Sequence, residues 1–215
     1  MLEFTKLEAL GNDFVLINAL ESRPEKMAGL AVRLCDRHFG VGGDGLMFVL
    51  PSQKGDFRMR IFNADGSEAE MCGNGIRCFV QYLYDHGLTE KTELEIETGA
   101  GIIRPTLNVR SGKVDTVKVD LGEPRLASKD IPVRGEERDK VVNEALEVLT
   151  ETYRITCVSM GNPHCVIFMD SLEDLIIDQV GPAIETHDFF PNRTNLEFVE
   201  PIKPHEMKMR VWERG

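Results

Sequence analysis

Displaced against itself by 150 positions, this chain of 215 residues matches itself twice. Gly11-Asn12 returns as Gly161-Asn162, and Leu16-Ile17 then meets Val166-Ile167. Met59-Arg60-Ile61-Phe62 returns as Met209-Arg210-Val211-Trp212, Gly45 falls on Asn195, and Asn63 falls on Glu213. Two matches at one displacement, with apolar positions in phase, indicate two copies of one supersecondary module. Alternating apolar runs make that module β-rich, and the spacing predicts strands over 2–7, 14–17, 46–50, 56–62, 93–97, 101–109 and 114–120. In the second half they fall at 153–158, 165–169, 195–199 and 206–212. Gly11-Asn12-Asp13 and 159–164 read as turns. Ser22 as cap with Glu25 closing a capping box predicts a helix from 22 to about 39, stopped by Gly40. A second helix is predicted over 171–187. Residues 141–149 fit a helix through Val141, Val142, Ala145, Leu146 and Leu149, and a strand through Leu146-Glu147-Val148. Gly122-Glu123-Pro124 and the charged run 134–140 mark a change of character, so the expected domains are 1–120 and 121–215.

Between the strands of the first copy lies Phe62-Asn63-Ala64-Asp65-Gly66-Ser67-Glu68-Ala69-Glu70-Met71-Cys72-Gly73-Asn74-Gly75-Ile76-Arg77-Cys78. From Ile76 the apolar residues Ile76, Phe79, Val80, Leu83 and Tyr84 recur at helical spacing, and Gly87 is a C-terminal stop. The helix therefore begins near Gly73 to Gly75, with Cys72 at its mouth. Unpaired amides and the positive end of the helix dipole gather there. Both favour a thiolate, so Cys72 is placed to have a lowered pKa. The flanking glycines let backbone amides approach an anion closely. The stretch reads as a carboxylate-binding helix mouth carrying a reactive sulfur. In the second copy the matching position is about residue 222, past Gly215, so the sequence is expected to end just before a second such mouth.

Composition narrows the class. Apolar and charged fractions of 42% and 28% are those of a globular chain rather than a disordered one. A net charge of −11 without a Lys/Arg run disfavours nucleic acid and anionic membranes as partners. No apolar stretch reaches the length of a membrane span. Met1-Leu2-Glu3-Phe4 lacks the features of an export signal. Cys35, Cys72, Cys78, Cys157 and Cys165 are an odd, scattered set without C-x-x-C, which suits neither a disulfide framework nor a zinc site and makes a reducing cytoplasm the default. Gly40-Val41-Gly42-Gly43-Asp44-Gly45 is followed by no Gly-Lys-Ser/Thr and is not read as a phosphate loop.

Six stretches carry a resemblance: Gly11-Asn12-Asp13-Phe14, 62–67, Met71-Cys72-Gly73-Asn74-Gly75-Ile76-Arg77, Gly161-Asn162-Pro163-His164, Arg193-Thr194-Asn195 and Trp212-Glu213-Arg214-Gly215. In order and spacing, over residues 1–215, the chain resembles the diaminopimelate epimerases. The resemblance implies an isomerase without cofactor that interconverts LL- and meso-2,6-diaminopimelate, on the route to lysine and peptidoglycan. It implies an α/β fold of two pseudo-symmetric domains, each a mostly antiparallel or mixed sheet wrapped around a central helix, with the second domain incomplete in this chain. It implies a homodimer for the full-length protein. It also moves 141–149 towards strand.

Carried over residue by residue, Cys72 resembles the acid/base of the first domain, and Gly73 and Asn74 the amides that grip the α-carboxylate. Asn12, Asn63, Asn162 and Asn195 resemble substrate-binding side chains. Glu213 and Arg214 resemble groups that bind the substrate's distal ammonium and carboxylate, or neighbouring backbone. His164 and Glu213 resemble groups that tune the thiols. Cys35, Cys78, Cys157 and Cys165 are read as packing residues. The chain departs from the family at Glu8, where many members have His, and at Gly45, where some have Gln. The second catalytic cysteine of the family is expected beyond residue 215, so these 215 residues alone are expected to lack the two-base reaction. The chemistry suits the residues. Inversion at a weakly acidic α-carbon needs a base on one face and an acid on the other, and helix amides can take the charge that develops on the carboxylate. Rival readings are a related proline or hydroxyproline racemase, which needs no group for a distal amino-acid end, and a non-catalytic amino-acid-binding remnant.

Overall fold

In the computed structural model, which describes residues 2–214, the chain separates into two units, Met1–Leu121 and Gly122–Gly215. The first unit runs β1 (Thr5–Ala9), β2 (Asn12–Asn18), α1 (Met27–Cys35), β3 (Gly45–Leu50), β4 (Phe57–Asn63), β5 (Glu68–Ala69), α2 (Gly73–Asp85), β6 (Ile96–Thr98), β7 (Gly101–Ile103), β8 (Thr106–Arg110) and β9 (Lys113–Lys118). Its main sheet has the order β1-β2-β3-β4-β6-β7, with β5 also on β4 and β8-β9 as a separate hairpin. The β2/β3 and β4/β6 pairs are parallel and the rest antiparallel, so the sheet is mixed.

Strand β3 shows why the sheet is covered on both faces. Every residue of Gly-Leu-Met-Phe-Val-Leu is buried, as an unbroken apolar run requires. Leu46, Phe48 and Leu50 join Val15, Ile17, Met27, Ala31 and Cys35 in a core beneath α1. Met47 and Val49 join Phe14, Leu16, Met59 and Ile61 in a second core beneath α2. Helix α2 buries Ile76, Phe79, Val80 and Leu83 there, the stripe that its periodicity predicts, with Tyr84 half-buried at its edge. Each such side chain contributes about 1.5–3 kcal/mol on leaving water. The helix ends as its glycine foretells. Gly87 takes φ +66°, its N–H bonds the Tyr84 carbonyl at 3.0 Å, and the Leu88 N–H bonds the Leu83 carbonyl at 2.9 Å.

The second unit contains a 3₁₀ turn (Ser128–Asp130), β10 (Glu144–Val148), β11 (Glu151–Ser159), β12 (Pro163–Phe168), α3 (Ile177–Glu185), β13 (Asn195–Lys203) and β14 (Glu206–Trp212), with sheet order β10-β11-β12-β13-β14. The 150-residue repeat holds in three dimensions. Helix α3 is α1 displaced by that number, and the register Phe14↔Gly45 becomes His164↔Asn195, while Val49↔Met59 becomes Val199↔Met209. The first hairpin breaks the symmetry by one residue, because Ala9 pairs with Asn12 whereas Ser159 pairs with Pro163. Helix α3 and the segments before it close a core of Cys157, Cys165, Ile167, Ile184, Leu196 and Phe198. On the opposite face, Met209 and Val211 are 55% and 42% exposed, where their counterparts Met59 and Ile61 are 2% and 3% exposed beneath α2.

Several sequence expectations need correction. The helix predicted over 22–39 is only Met27–Cys35, and Ser22 does not cap it: Lys26 holds the cap position with no side-chain bond. Its end is set by Asp36, whose carboxylate accepts the N–H groups of His38 and Phe39 at 2.7 Å each and turns the chain out of the helix. The helix predicted over 171–187 is Ile177–Glu185. Before it, the Ser171 hydroxyl takes the Glu173 N–H and the Glu200 carboxylate takes the Leu172 N–H, both at 3.1 Å, which holds that segment in turns. The strand predicted over 101–109 divides into β7 and β8 around Pro105, which has no N–H for a ladder. The strand expected over 93–97 is β6, Ile96–Thr98, with Glu93 making only an isolated bridge to Thr106. The turn expected at 11–13 sits at Leu10 and Gly11, with φ of +56° and +85°, so Asn12 and Asp13 already belong to β2. Residues 141–149 form strand β10, not the helix that their spacing also permitted. Among the described residues no helix is long and apolar enough to cross a membrane.

Candidate active site

In the first unit the candidate residues gather at one end of the sheet and at the helix above it. Asn12 opens β2, Gly45 opens the parallel β3, and Asn63 closes the antiparallel β4 opposite Gly45. Helix α2 starts over the same end: a Cβ on Gly75 would lie 3.3 Å from the Met47 sulfur, the Ile61 Cδ1 and the Cys72 Cβ. A side chain there would have to push those neighbours back by a few tenths of an ångström, so the glycine lets the helix rest this close to the sheet without crowding.

Cys72 is the N-cap of α2. Its backbone is extended, its carbonyl takes the Ile76 N–H at 2.8 Å, and its sulfur takes the Gly75 N–H at 3.4 Å. Gly73 and Asn74, as the first residues of α2, bear amides with no carbonyl one turn back inside the helix. The Asn74 Oδ1 accepts from Arg77. Asn63 donates from Nδ2 to the Ser67 hydroxyl at 2.9 Å, inside a turn closed by Gly66 at φ +88°. The Ser67 hydroxyl and N–H both bond Asp65, which holds that carboxyl below its usual range. The Asn12 Oδ1 is buried without a protein partner among the described residues.

The cysteines divide sharply. Cys35, Cys78, Cys157 and Cys165 are buried, and Cys72 alone is half-exposed. Burial, and then the nearby charge of Cys72, push the Cys78 thiol up to about 11. Burial pushes Cys35 up, and the hydrogen bond with Cys157 followed by burial pushes Cys165 up.

In the second unit the remaining candidates gather on the repeat-related end of its sheet. His164 pairs with Asn195 across β12/β13, and β14 brings Trp212 opposite Leu196. His164 stands between two oxygens, Nδ1 at 2.7 Å from the Glu197 carboxylate and Nε2 at 2.9 Å from the Asn162 Oδ1. The Arg214 N–H donates to the Asn195 Oδ1 at 3.0 Å, and its guanidinium donates to the Asn192 carbonyl at 3.1 Å. Glu213 lies between Trp212 and Arg214 on this segment. Gly215 of the same motif lies outside the described residues.

Sequence reasoning missed four residues. Arg37 donates to Asp13 at 2.8 and 3.2 Å and to Asp44 at 2.7 Å, which ties the start of β2 to the glycine-rich turn before β3. Lys6 reaches Asp13 at 2.7 Å and also bonds the Gly42 carbonyl. Glu197 holds His164, and Glu185 holds Arg193 and Trp212. The last two had a signal in the repeat itself: Glu197 falls on Met47 and Glu185 on Cys35, a carboxylate where the other copy has a core residue.

The sequence profile described as diaminopimelate epimerase matches residues 4–127 and 156–215. A diaminopimelate epimerase of Pelotomaculum thermopropionicum is 53% identical over 216 residues, covering 100% of this chain and 77% of its own. One from Moorella thermoacetica is 53% identical with the same coverage, and one from Methanococcus maripaludis is 47% identical over 214 residues. Among solved structures, a hydroxyproline epimerase from Agrobacterium vitis superposes with TM-score 0.67 at 12% identity, over 97% of this chain and 69% of that one. A phenazine biosynthesis protein of the PhzF family from Bacillus anthracis gives 0.63 at 23% identity, over 98% and 70%. These two share the fold, and the closer sequence relatives decide the family: the chain belongs to the diaminopimelate epimerases.

Proposed function

We propose that Cys72 is one acid/base of a cofactor-independent epimerase that interconverts LL- and meso-2,6-diaminopimelate. The observation that carries this reading is the sulfur's place as the side-chain cap of α2, 3.4 Å from the Gly75 N–H. That amide and the helix dipole favour the anionic sulfur. The thiolate takes the α-proton: an S–H bond forms, the Cα–H bond breaks, and its electron pair passes into the substrate carboxylate. The Gly73 and Asn74 amides receive that charge, a contact that strengthens as the charge develops. A second acid on the opposite face then protonates the carbon. By the resemblance this is a cysteine beyond residue 215.

Asn12, Asn63, Asn162 and Asn195 bind the substrate's polar groups, and Glu213 and Arg214 bind its distal ammonium and carboxylate. His164 and Glu213 tune the thiols. Residues 1–120 and 121–215 act as the two functional domains. The full-length protein works as a cytoplasmic homodimer. Arg214 favours diaminopimelate over the proline-type substrates of structural neighbours, because a cyclic imino acid offers no second carboxylate.

Alkylation by iodoacetamide at pH 7, followed by peptide mass mapping, tests the reading on this chain. Cys72 is expected to react at least about tenfold faster than the other four cysteines, and meso-diaminopimelate is expected to protect it. Equal rates at all five, or no protection at saturating ligand, would refute it. In the full-length enzyme, Cys72→Ser is expected to slow exchange of the α-hydrogen with deuterated water by about 10²–10⁴-fold.

A further inference from the structure

The side chain of Glu185, at the end of α3, is 8% exposed and uses both of its oxygens. Oε1 takes Arg193 Nη1 at 3.0 Å, and Oε2 takes the indole N–H of Trp212 at 2.8 Å. The two segments it joins are the ones that carry candidate site residues. Arg193 stands two residues before Asn195, and Trp212 directly before Glu213 and Arg214. The segments also meet beyond the carboxylate, through the Arg214 N–H on the Asn195 Oδ1 at 3.0 Å.

Two further features show a built arrangement. Trp212 lies flat on α3 at Gly181, where a Cβ would fall 2.6 Å from the ring. Arg193 has φ +57°, a left-handed conformation that a non-glycine residue holds only when its surroundings impose it. The other copy has none of this. At the displacement of 150, Glu185, Trp212 and Arg193 fall on Cys35, Phe62 and Gly43, and Cys35 and Phe62 are plain members of the core beneath α1. A carboxylate clamp therefore stands, in the half that bears Glu213 and Arg214, where the other copy has apolar packing.

We propose that Glu185 is a positioning residue, which holds Arg193 and Trp212 and thereby sets where Asn195, Glu213 and Arg214 stand for the substrate. This rests on the reading of those three residues as substrate-binding. Glu185 itself touches no substrate. Its effect passes through the backbone on either side of Trp212 and Arg193.

The test uses Glu185→Gln, which keeps the volume and loses the charge, and Trp212→Phe, which removes only the indole donor. Amide hydrogen exchange is the first readout. Protection at residues 193–195 and 212–214 is expected to fall about tenfold in both variants, while residues 155–157 and 165–167 keep theirs. Trp212 is the single tryptophan of the chain, so the emission of Glu185→Gln should also shift. The second readout is meso-diaminopimelate binding by calorimetry, where affinity is expected to fall about tenfold or more in both variants. Unchanged protection, or a loss spread over the whole second unit, overturns the clamp. Local loss of protection with undiminished ligand affinity overturns its positioning role. If the unmutated chain binds no meso-diaminopimelate while the local loss is seen, the clamp stands and the proposed substrate reading falls.

Discussion

Replacing Arg37 by Met tests how the start of β2, and with it Asn12, is held. Met keeps most of the apolar stem and removes the guanidinium. Arg37 makes a two-pronged contact with Asp13 at 2.8 and 3.2 Å and a third bond to Asp44 at 2.7 Å. Its side chain is 56% exposed, and that of Asp13 20%. Exposed pairs contribute about 0–1 kcal/mol each. The open pair with Asp44, 44% exposed, adds little. The two-pronged pair with the more sheltered Asp13 stands at the upper end, so depriving Asp13 of this partner costs about 1 kcal/mol at pH 7. The heavier cost of a stranded buried charge, about 3–5 kcal/mol, does not apply, because Asp13 keeps Lys6 at 2.7 Å and the Asp44 N–H at 3.2 Å.

The pH dependence has a definite sign. The Arg37 hydrogen bond, ahead of the contribution of Lys6, holds the Asp13 carboxyl well below the usual carboxylate range. A depressed carboxyl stabilises the fold fully above its unfolded pKa, about 3.9, and loses that contribution as pH falls towards the folded value. The difference between wild type and Arg37→Met should therefore be full above about pH 5 and shrink steadily below about pH 4. Urea unfolding followed by NMR peak intensities of residues 14–17, at pH 7, 5, 4 and 3, measures it for the first unit alone. A loss under about 0.3 kcal/mol at pH 7, or one that does not change between pH 7 and 3, would refute the electrostatic account.

Two further substitutions probe the helix that carries the sulfur. Gly75→Ala places a methyl 3.3 Å from Met47, Ile61 and Cys72; the helix gains about 1 kcal/mol of propensity, crowding costs about 1–3 kcal/mol, and Cys72 alkylation should slow, so a raised melting temperature with unchanged alkylation would contradict the packing read at this contact. Phe79→Ala empties a site with 0% exposure and should cost about 3–5 kcal/mol in urea unfolding, with a loss below 1 kcal/mol counting against α2 as the centre of the first unit.

Local chemistry was legible wherever one short stretch decides its own structure. The stripe from Ile76 to Leu83, the stop at Gly87 and the cap at Cys72 follow from neighbours within a turn or two, and the structure places all three there. The repeat was legible for a related reason: strand register is copied with the apolar pattern that specifies it, so Phe14↔Gly45 and His164↔Asn195 coincide at one displacement. Helix ends were less legible. Ser22 and Glu25 satisfy a capping pattern that the fold does not use, while Asp36 ends α1 through an Asx turn that periodicity does not detect.

The sequence by itself determined the two-copy plan, the helix mouth with its sulfur and the family, because these rest on residue identity and on spacings within one element. Only the tertiary structure decided that Arg37 locks Asp13 to Asp44, that Glu197 holds His164, and that Glu185 joins Arg193 to Trp212. Those partners lie 7 to 33 positions apart. A charged side chain meets a distant partner only after the sheet has set its register and the helices have packed, and nothing in either residue's neighbourhood along the chain encodes that meeting.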